Sequence, residues 1–310
     1  MKKLIFLIVL VGIIYFIISV LTNEEQLGYQ LLLDKGIVTS GDGLFAESSG
    51  TGRNLELPFA PKYYYKGMEV DNYFIDSNQC FRIINIANND AIKVIHLGKT
   101  TNNKCEDIVS INELFIYSEE NINTWKQSDI LKIFEKWEQE NRIFNETFDF
   151  TNYVKADWYI GAVDDSERIY NRIQTFKDHV VDEQKEVYQG LIGLISLSDY
   201  LKAVAGIQHS YAANQIPKAN YLFSETSFWT LTADKNSKNR VYAVTAAKTI
   251  NASLNHEGVY VDGPFENSPH SLSRIIFAND SNYMIYPVLY LKDGVKLVGK
   301  GTATNPYEIE

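Results

Sequence analysis

Few residues in this chain are spaced for chemistry. The five histidines, His96, His179, His209, His256 and His270, are scattered without metal-ligand spacing. Neither His-Glu-x-x-His nor Cys-x-x-Cys occurs, and no Gly-x-Ser-x-Gly turn presents a serine nucleophile. Residues 294–300 fit Gly-x-x-x-x-Gly-Lys, but Gly301 stands where a hydroxyl would meet magnesium. Too little chain follows to build the helix whose N-terminus would receive a phosphate. Asp164 and Asp165 could supply paired carboxylates to a glycosidase, yet adjacent side chains diverge, and a charged loop is the simpler reading. Two cysteines remain, Cys80 and Cys105. A bridge between them is expected if the chain is exported, and would stabilise it by roughly 3 kcal/mol. The alternative is a pair of buried free thiols. No catalytic residue, cofactor or metal set is expected.

The elements that would position these residues begin with an apolar run. Met1-Lys2-Lys3 is followed by residues 4–21 without a charge, then by Glu24 and Glu25. As a helix that run is roughly 27 Å long, close to the thickness of a bilayer core. Basic residues stay on the cytoplasmic side, so residues 1–22 are expected to be a single-pass transmembrane signal anchor. The N-terminus would then be cytoplasmic and everything after it extracellular. A cleaved signal peptide is the rival, although Ser19-Val20-Leu21-Thr22 is a poor cleavage site. Residues 23–35 read as a helical stalk with Leu27, Leu31 and Leu32 on one face, and residues 36–62 as an irregular linker.

From residue 63 the texture becomes β-rich. Residues 72–76, 79–86 and 91–97 are runs of Ile, Val, Phe and Tyr separated by turn residues, and predict a three-stranded antiparallel meander. Residues 119–140 read as helical, with Ser128 able to cap a helix bearing Ile130, Ile133, Phe134 and Trp137. A second helical stretch is expected over 153–161, and a third opening at Ser196, with Asp199 three residues on. Residues 228–232, 240–245, 285–291 and 295–298 read as strands, and 307–309 as a final edge strand. Helices between two sets of strands give an α+β class. The loop-rich stretch 251–280 is the expected variable face, with His256, Tyr260, Phe265 and His270 as candidate ligand contacts.

Charge and composition narrow the partners. The net charge is −10, and nucleic acid is not expected as a partner because phosphate recognition needs a basic face. Aromatic residues make up 13% of the chain, 20 of them Tyr, which suits packed β-structure and carbohydrate or protein recognition equally.

Several motifs occur together in one order. They are Tyr63-Tyr64-Tyr65-Lys66-Gly67, Asn72-Tyr73-Phe74, and Cys80-Phe81-Arg82-Ile83-Ile84 with a following cysteine, Cys105. Downstream come the Ser128-to-Trp137 helix, the segment from Gly190 to Asp199, Phe228-Trp229-Thr230-Leu231-Thr232, Pro287-Val288-Leu289-Tyr290-Leu291-Lys292 and Gly301-Thr302 through Asn305-Pro306-Tyr307. This order resembles a poorly characterised family of surface or secreted proteins of Gram-positive gut-type bacteria. Their domain is similar to the C-type-lectin and formylglycine-generating-enzyme fold. Phe81, Ala233 and Tyr286 depart from the family's usual Trp, Pro and Arg. The resemblance implies one irregular, mostly antiparallel α+β ectodomain over 63–310 whose loop-rich face binds ligands. The cysteine pair used by formylglycine-generating enzymes is absent, since no cysteine follows Cys105. The calcium-binding loop of classical lectins is absent too. The chain is therefore expected to be a membrane-anchored extracellular binding or adhesion module without catalysis, its ligand a glycan or a protein. The alternatives are a structural subunit of a pilus-like or secretion-associated assembly and an enzyme of unrecognised type.

Overall fold

The computed structural model describes residues 27–48, 53–111, 113–163, 180–203, 221–222, 227–247, 258–260, 274–280 and 283–310. Within them the organising element is the strand Gln79–Ala87, all nine residues of which are buried. One edge of this strand is shared. Its first half pairs antiparallel with Tyr73–Asp76 (Phe74 opposite Phe81), and its second half with Pro61–Lys66 (Tyr64 opposite Asn85). Its other edge pairs along its length with Ile92–Lys99, with irregularities after Cys80 and after Ile83 that bend the ribbon. The meander expected at 72–97 is therefore present. Asn78 (φ 60°) and Asp90 (φ 63°) make its turns in the left-handed region that Asn and Asp tolerate.

The chain's last strand, Tyr307–Ile309, is not an edge strand. It lies parallel to Tyr73–Asp76 on one side and antiparallel to Leu297–Val298 on the other, which makes it interior to the eight-stranded sheet. A second sheet carries Phe228–Ala233 and Arg240–Ala247, with Gly258–Tyr260 and Arg274–Phe277 paired to the latter. The two sheets share one apolar cluster that includes Phe81, Trp125, Trp158, Trp229 and Tyr290. Val288–Leu291 pairs with Ile92–Lys99 on one side and meets Gly193 on the other.

The fold-class expectation needs correction. An α+β domain led by a transmembrane helix was expected, but the described residues are dominated by strands, and none of their helices is long and apolar enough to cross a membrane. The longest, Asp129–Glu140, has 12 residues and spans roughly 18 Å, well short of a bilayer core. The anchor expected at residues 1–22 lies outside the described residues. Part of the shift towards β comes from 153–161, expected to be helical. Ala156–Tyr159 is a strand paired with Val187–Gly190, and burial alternates along it, with Ala156 and Trp158 inside. Over four residues that alternation, with a large aromatic to bury, outweighs helix propensity.

The helices that do form have local causes. Ser128 Oγ accepts the Leu131 N–H at 3.1 Å, Asp129 sits in the first turn, and Ile130, Leu131, Phe134 and Trp137 are buried. That helix ends where Asn141 turns left-handed (φ 49°). Residues 119–124, expected within it, are irregular and lead into a single 3-10 turn, Trp125–Gln127. Helix Gly28–Asp34 lies against the body of the protein. Gly28 N–H donates to Val295 O at 2.8 Å, Leu32 is fully buried, and a Cβ on Gly28 would stand 2.7 Å from Leu297 Cγ.

Candidate functional site

The titratable side chains that converge among the described residues do so at the start of helix Leu197–Ala203. Ser196 Oγ accepts the Asp199 N–H at 3.2 Å, which is the cap expected there, and this turns the Asp199 carboxylate into the protein. Lys93 reaches it from the start of strand Ile92–Lys99, with Nζ 2.6 Å from Asp199 Oδ2. The ammonium also lies 5.1 Å and 5.2 Å from the ring centres of Trp158 and Tyr290. Arg53 approaches from the other side, its guanidinium 3.6 Å from Asp199 Oδ1 and 3.5 Å from Glu47 Oε2. Glu47 in turn accepts from Lys202 Nζ at 2.6 Å, and that ammonium lies 4.5 Å from the Tyr64 ring centre. Glu183 completes the cluster, accepting from Ser198 N at 3.2 Å, from Thr232 Oγ1 at 2.7 Å and from Ser198 Oγ.

Burial and pairing compete at each group. Burial alone would raise the Asp199 carboxyl, but Lys93 and Arg53 outweigh it and hold it below the usual carboxylate range. Burial would likewise lower Lys93, and Asp199 reverses this and raises it, so the two partners agree on a charged pair. Glu183 goes the other way: burial raises it, and its bonds from Ser198 and Thr232 offset only part of the effect. The cluster ties together the Glu47–Arg53 region, both sheets and the helix. Each of its carboxylates has a partner: Asp199 Oδ2 accepts from Lys93, Glu183 from Ser198 and Thr232, and Glu47 Oε1 from Lys202. No carboxylate, hydroxyl or amine in it is both unpaired and set against open space as a base or nucleophile would be.

A cleft opens beside this cluster, lined by Arg53, Lys93, Trp158, Tyr159, Gln184 and Asp199 among others. Its empty space with the open solvent before it is about 330 Å³, but only about 10 Å³ is open to water, room for about one molecule. A wider groove of about 180 Å³ lies where Trp125, Ile160, Glu186 and Lys238 meet. Asn123 forms one wall, its amide donating to the carbonyls of Asp234 (2.8 Å), Ser237 (2.6 Å) and Arg240 (3.0 Å).

The expected residues distribute unevenly around these features. Cys80 and Cys105 form a disulfide, with Cα atoms 5.8 Å apart. It is buried, at the opposite end of the Gln79–Ala87 and Ile92–Lys99 pair from Lys93, and Cys105 N–H donates to Ala303 O at 2.8 Å. Of the candidate contacts, His256, Phe265 and His270 lie outside the described residues. Tyr260 is described only as the end of a strand opposite Thr245. Asp164 and Asp165, His179 and His209 also lie outside them. His96 is a strand residue, buried in an aromatic pocket with Phe81 and Phe144, and its Nε2 is 2.8 Å from Gln79 Oε1. Burial pushes its pKa down to about 3, so it is neutral. Among the described residues no group of His, Cys, Asp and Glu is placed to hold a metal ion.

Two residues singled out in the sequence, Phe81 and Tyr286, are packed against aromatic neighbours. Phe81 is fully buried against Phe74, His96 and Phe148, and Tyr286 packs edge-on against Phe228 with ring centres 5.0 Å apart. The sequence reading missed Arg53, Lys93, Glu183 and Tyr159. Lys93 carried a usable signal, a lone cation inside Ile92-Lys93-Val94-Ile95, where a strand with no polar face must bury the charge against a partner.

The chain matches no family model, no curated protein and no solved structure.

Proposed function

We propose that this protein is a non-catalytic recognition module acting outside the cytoplasm, its ligand a glycan or a protein. The observation that carries this reading is the state of the polar cluster around Asp199. Its carboxylates are each engaged, Asp199 by Lys93, Glu47 by Lys202 and Glu183 by Ser198 and Thr232, while the Gln184 amide keeps an unpartnered donor at the adjoining cleft. Such a site can hold a ligand but offers no group to attack it or to take its proton. The Cys80–Cys105 disulfide supports an oxidising compartment. The ordered set of motifs shared with the Gram-positive surface family supports the same reading.

The test is binding of the purified full-length chain to a panel of glycans, mucins, host matrix proteins and bacterial cell walls, with and without a calcium chelator. Saturable binding to a member of the panel is expected, and loss of it on replacing residues 251–280 would place the contact on that loop. An empty panel, together with self-association of the chain into defined oligomers, would favour the assembly subunit instead.

A further inference from the structure

Lys93 and Asp199 hold an amine and a carboxyl in contact with solvent largely shut out. The two residues are 106 positions apart in the chain, one on a strand and one on a helix. Their side chains are 5% and 6% exposed, and Nζ stands 2.6 Å from Oδ2. A nitrogen that close to one carboxyl oxygen lies about 3–3.5 Å from the carboxyl carbon, the separation of a near-attack pair. Trp158 and Tyr290 put aromatic rings 5.1 Å and 5.2 Å from the amine. The cleft that Lys93, Glu183 and Asp199 line together has room for about one water molecule. That is the size of the group expelled when an amine and a carboxyl condense.

At rest the pair is an ammonium and a carboxylate. The desolvation that makes two buried charges costly also narrows the gap to the neutral pair, which is reached by passing one proton along the hydrogen bond. That transfer leaves a free amine, the nucleophile, facing a carboxylic acid, the electrophile. Arg53 lies 3.6 Å from Asp199 Oδ1, where negative charge gathers as nitrogen adds to the carbonyl carbon. Burial favours a proton on Glu183, and hydrogen bonds through Ser198 and Ser196 connect that carboxyl to Asp199. We propose that Lys93 and Asp199 condense into an amide that cross-links strand Ile92–Lys99 to helix Leu197–Ala203. The new bond joins Nζ to Cγ, and the bond from Cγ to Oδ2 breaks. Of the three ammonium hydrogens, one stays on the amide nitrogen and two leave with Oδ2 as water. A cation and an anion give two neutral products, and no oxidant, reductant or co-reactant is consumed. The ion pair in the structure is the unreacted form. The inference goes beyond the recognition reading and does not depend on it.

The test is intact-mass spectrometry of the folded full-length chain, read after denaturation with its disulfide reduced. The mass of the sequence is counted from the N-terminus found in a digest of the same sample. The expected mass is that of the sequence less one water, and the digest should hold a branched peptide joining the segments around Lys93 and Asp199. Lys93→Arg keeps a cation beside Asp199 but offers no amine, and should show the full sequence mass and no branched peptide. Asp199→Asn should form the same branched peptide with loss of ammonia in place of water. Full sequence mass in the wild type overturns the proposal. So does a water loss that persists in Lys93→Arg, or one without the branched peptide, since either places the dehydration elsewhere in the chain. Where a variant fails to fold, the wild-type digest decides alone.

Discussion

Replacing Lys93 by methionine tests the energetics of the Asp199 cluster. The substitution keeps the length and apolar stem of the side chain, and removes the ammonium that sits 2.6 Å from Asp199 Oδ2 with both side chains about 95% buried. Stripping one partner from a buried ion pair costs about 3–5 kcal/mol, because the remaining charge stays desolvated without its counterion. Arg53, 3.6 Å from the other Asp199 oxygen, compensates in part, so the lower end of that range, about 3 kcal/mol, is expected at neutral pH. Urea unfolding followed by tryptophan fluorescence reads this directly, since Trp158 lies beside the lost ammonium. The pH dependence supplies a second signature. In the wild type the Asp199 carboxyl is held low by Lys93 and Arg53 against burial, so its contribution to stability is present above the unfolded value and lost as pH falls through the folded one. In Lys93→Met that carboxyl rises, protonation relieves the buried charge, and the gap between variant and wild type narrows in acid. The double variant Lys93→Met/Asp199→Leu should recover part of the loss at neutral pH. A cost below about 1 kcal/mol would refute the reasoning, because that is the worth of a solvent-exposed pair. So would a gap that is constant with pH.

Three further outcomes follow from the same structure. Removing the disulfide through Cys80→Ala/Cys105→Ala opens a loop of 25 residues and should cost about 3.5 kcal/mol in the chain-entropy account, measured by denaturant unfolding against the oxidised wild type. His96 is neutral and buried, with its pKa lowered to about 3 from the ordinary 6.5. The unfolded chain therefore binds the extra proton between those values, and stability falls as pH drops from 6.5 towards 3. The loss is about 2 kcal/mol by pH 5, and His96→Gln should flatten that slope in a pH series of unfolding curves. Ser128→Ala removes the acceptor of the Leu131 N–H and should cost about 1 kcal/mol without altering ligand capture.

What could be read in the sequence was what local chemistry decides. The meander over Tyr73–Lys99 was legible because β-branched runs are bounded by Asp-Ser-Asn and Asn-Asn-Asp turns, and helix Asp129–Glu140 because an apolar stripe follows a serine cap. The place of Tyr307–Ile309 was not. Its parallel pairing with Tyr73–Asp76 joins residues more than two hundred positions apart, and nothing within three residues distinguishes an interior strand from an edge. Ala156–Tyr159 was misread because four residues carry too little period to separate a strand from a helix. The polar cluster was legible in fragments. Ser196 to Asp199 was read as a cap, and the cap is real, yet the same turn delivers Asp199 to Lys93 and Arg53. Arg53 lies in a stretch with no periodicity, so its arrival beside Asp199 comes from tertiary packing alone.

The measurement that bears most directly on the central claim is recovery of a captured ligand after prolonged incubation. The full-length chain would be held with the panel member it binds, the ligand released by denaturation, and its mass compared with the starting material. A cluster whose Asp199, Glu47 and Glu183 are engaged by Lys93, by Lys202, and by Ser198 and Thr232 should return the ligand stoichiometrically and unchanged. Progressive conversion of the ligand, abolished by Glu183→Gln or Asp199→Asn in a folded variant, would contradict the account and make the cluster a catalytic centre.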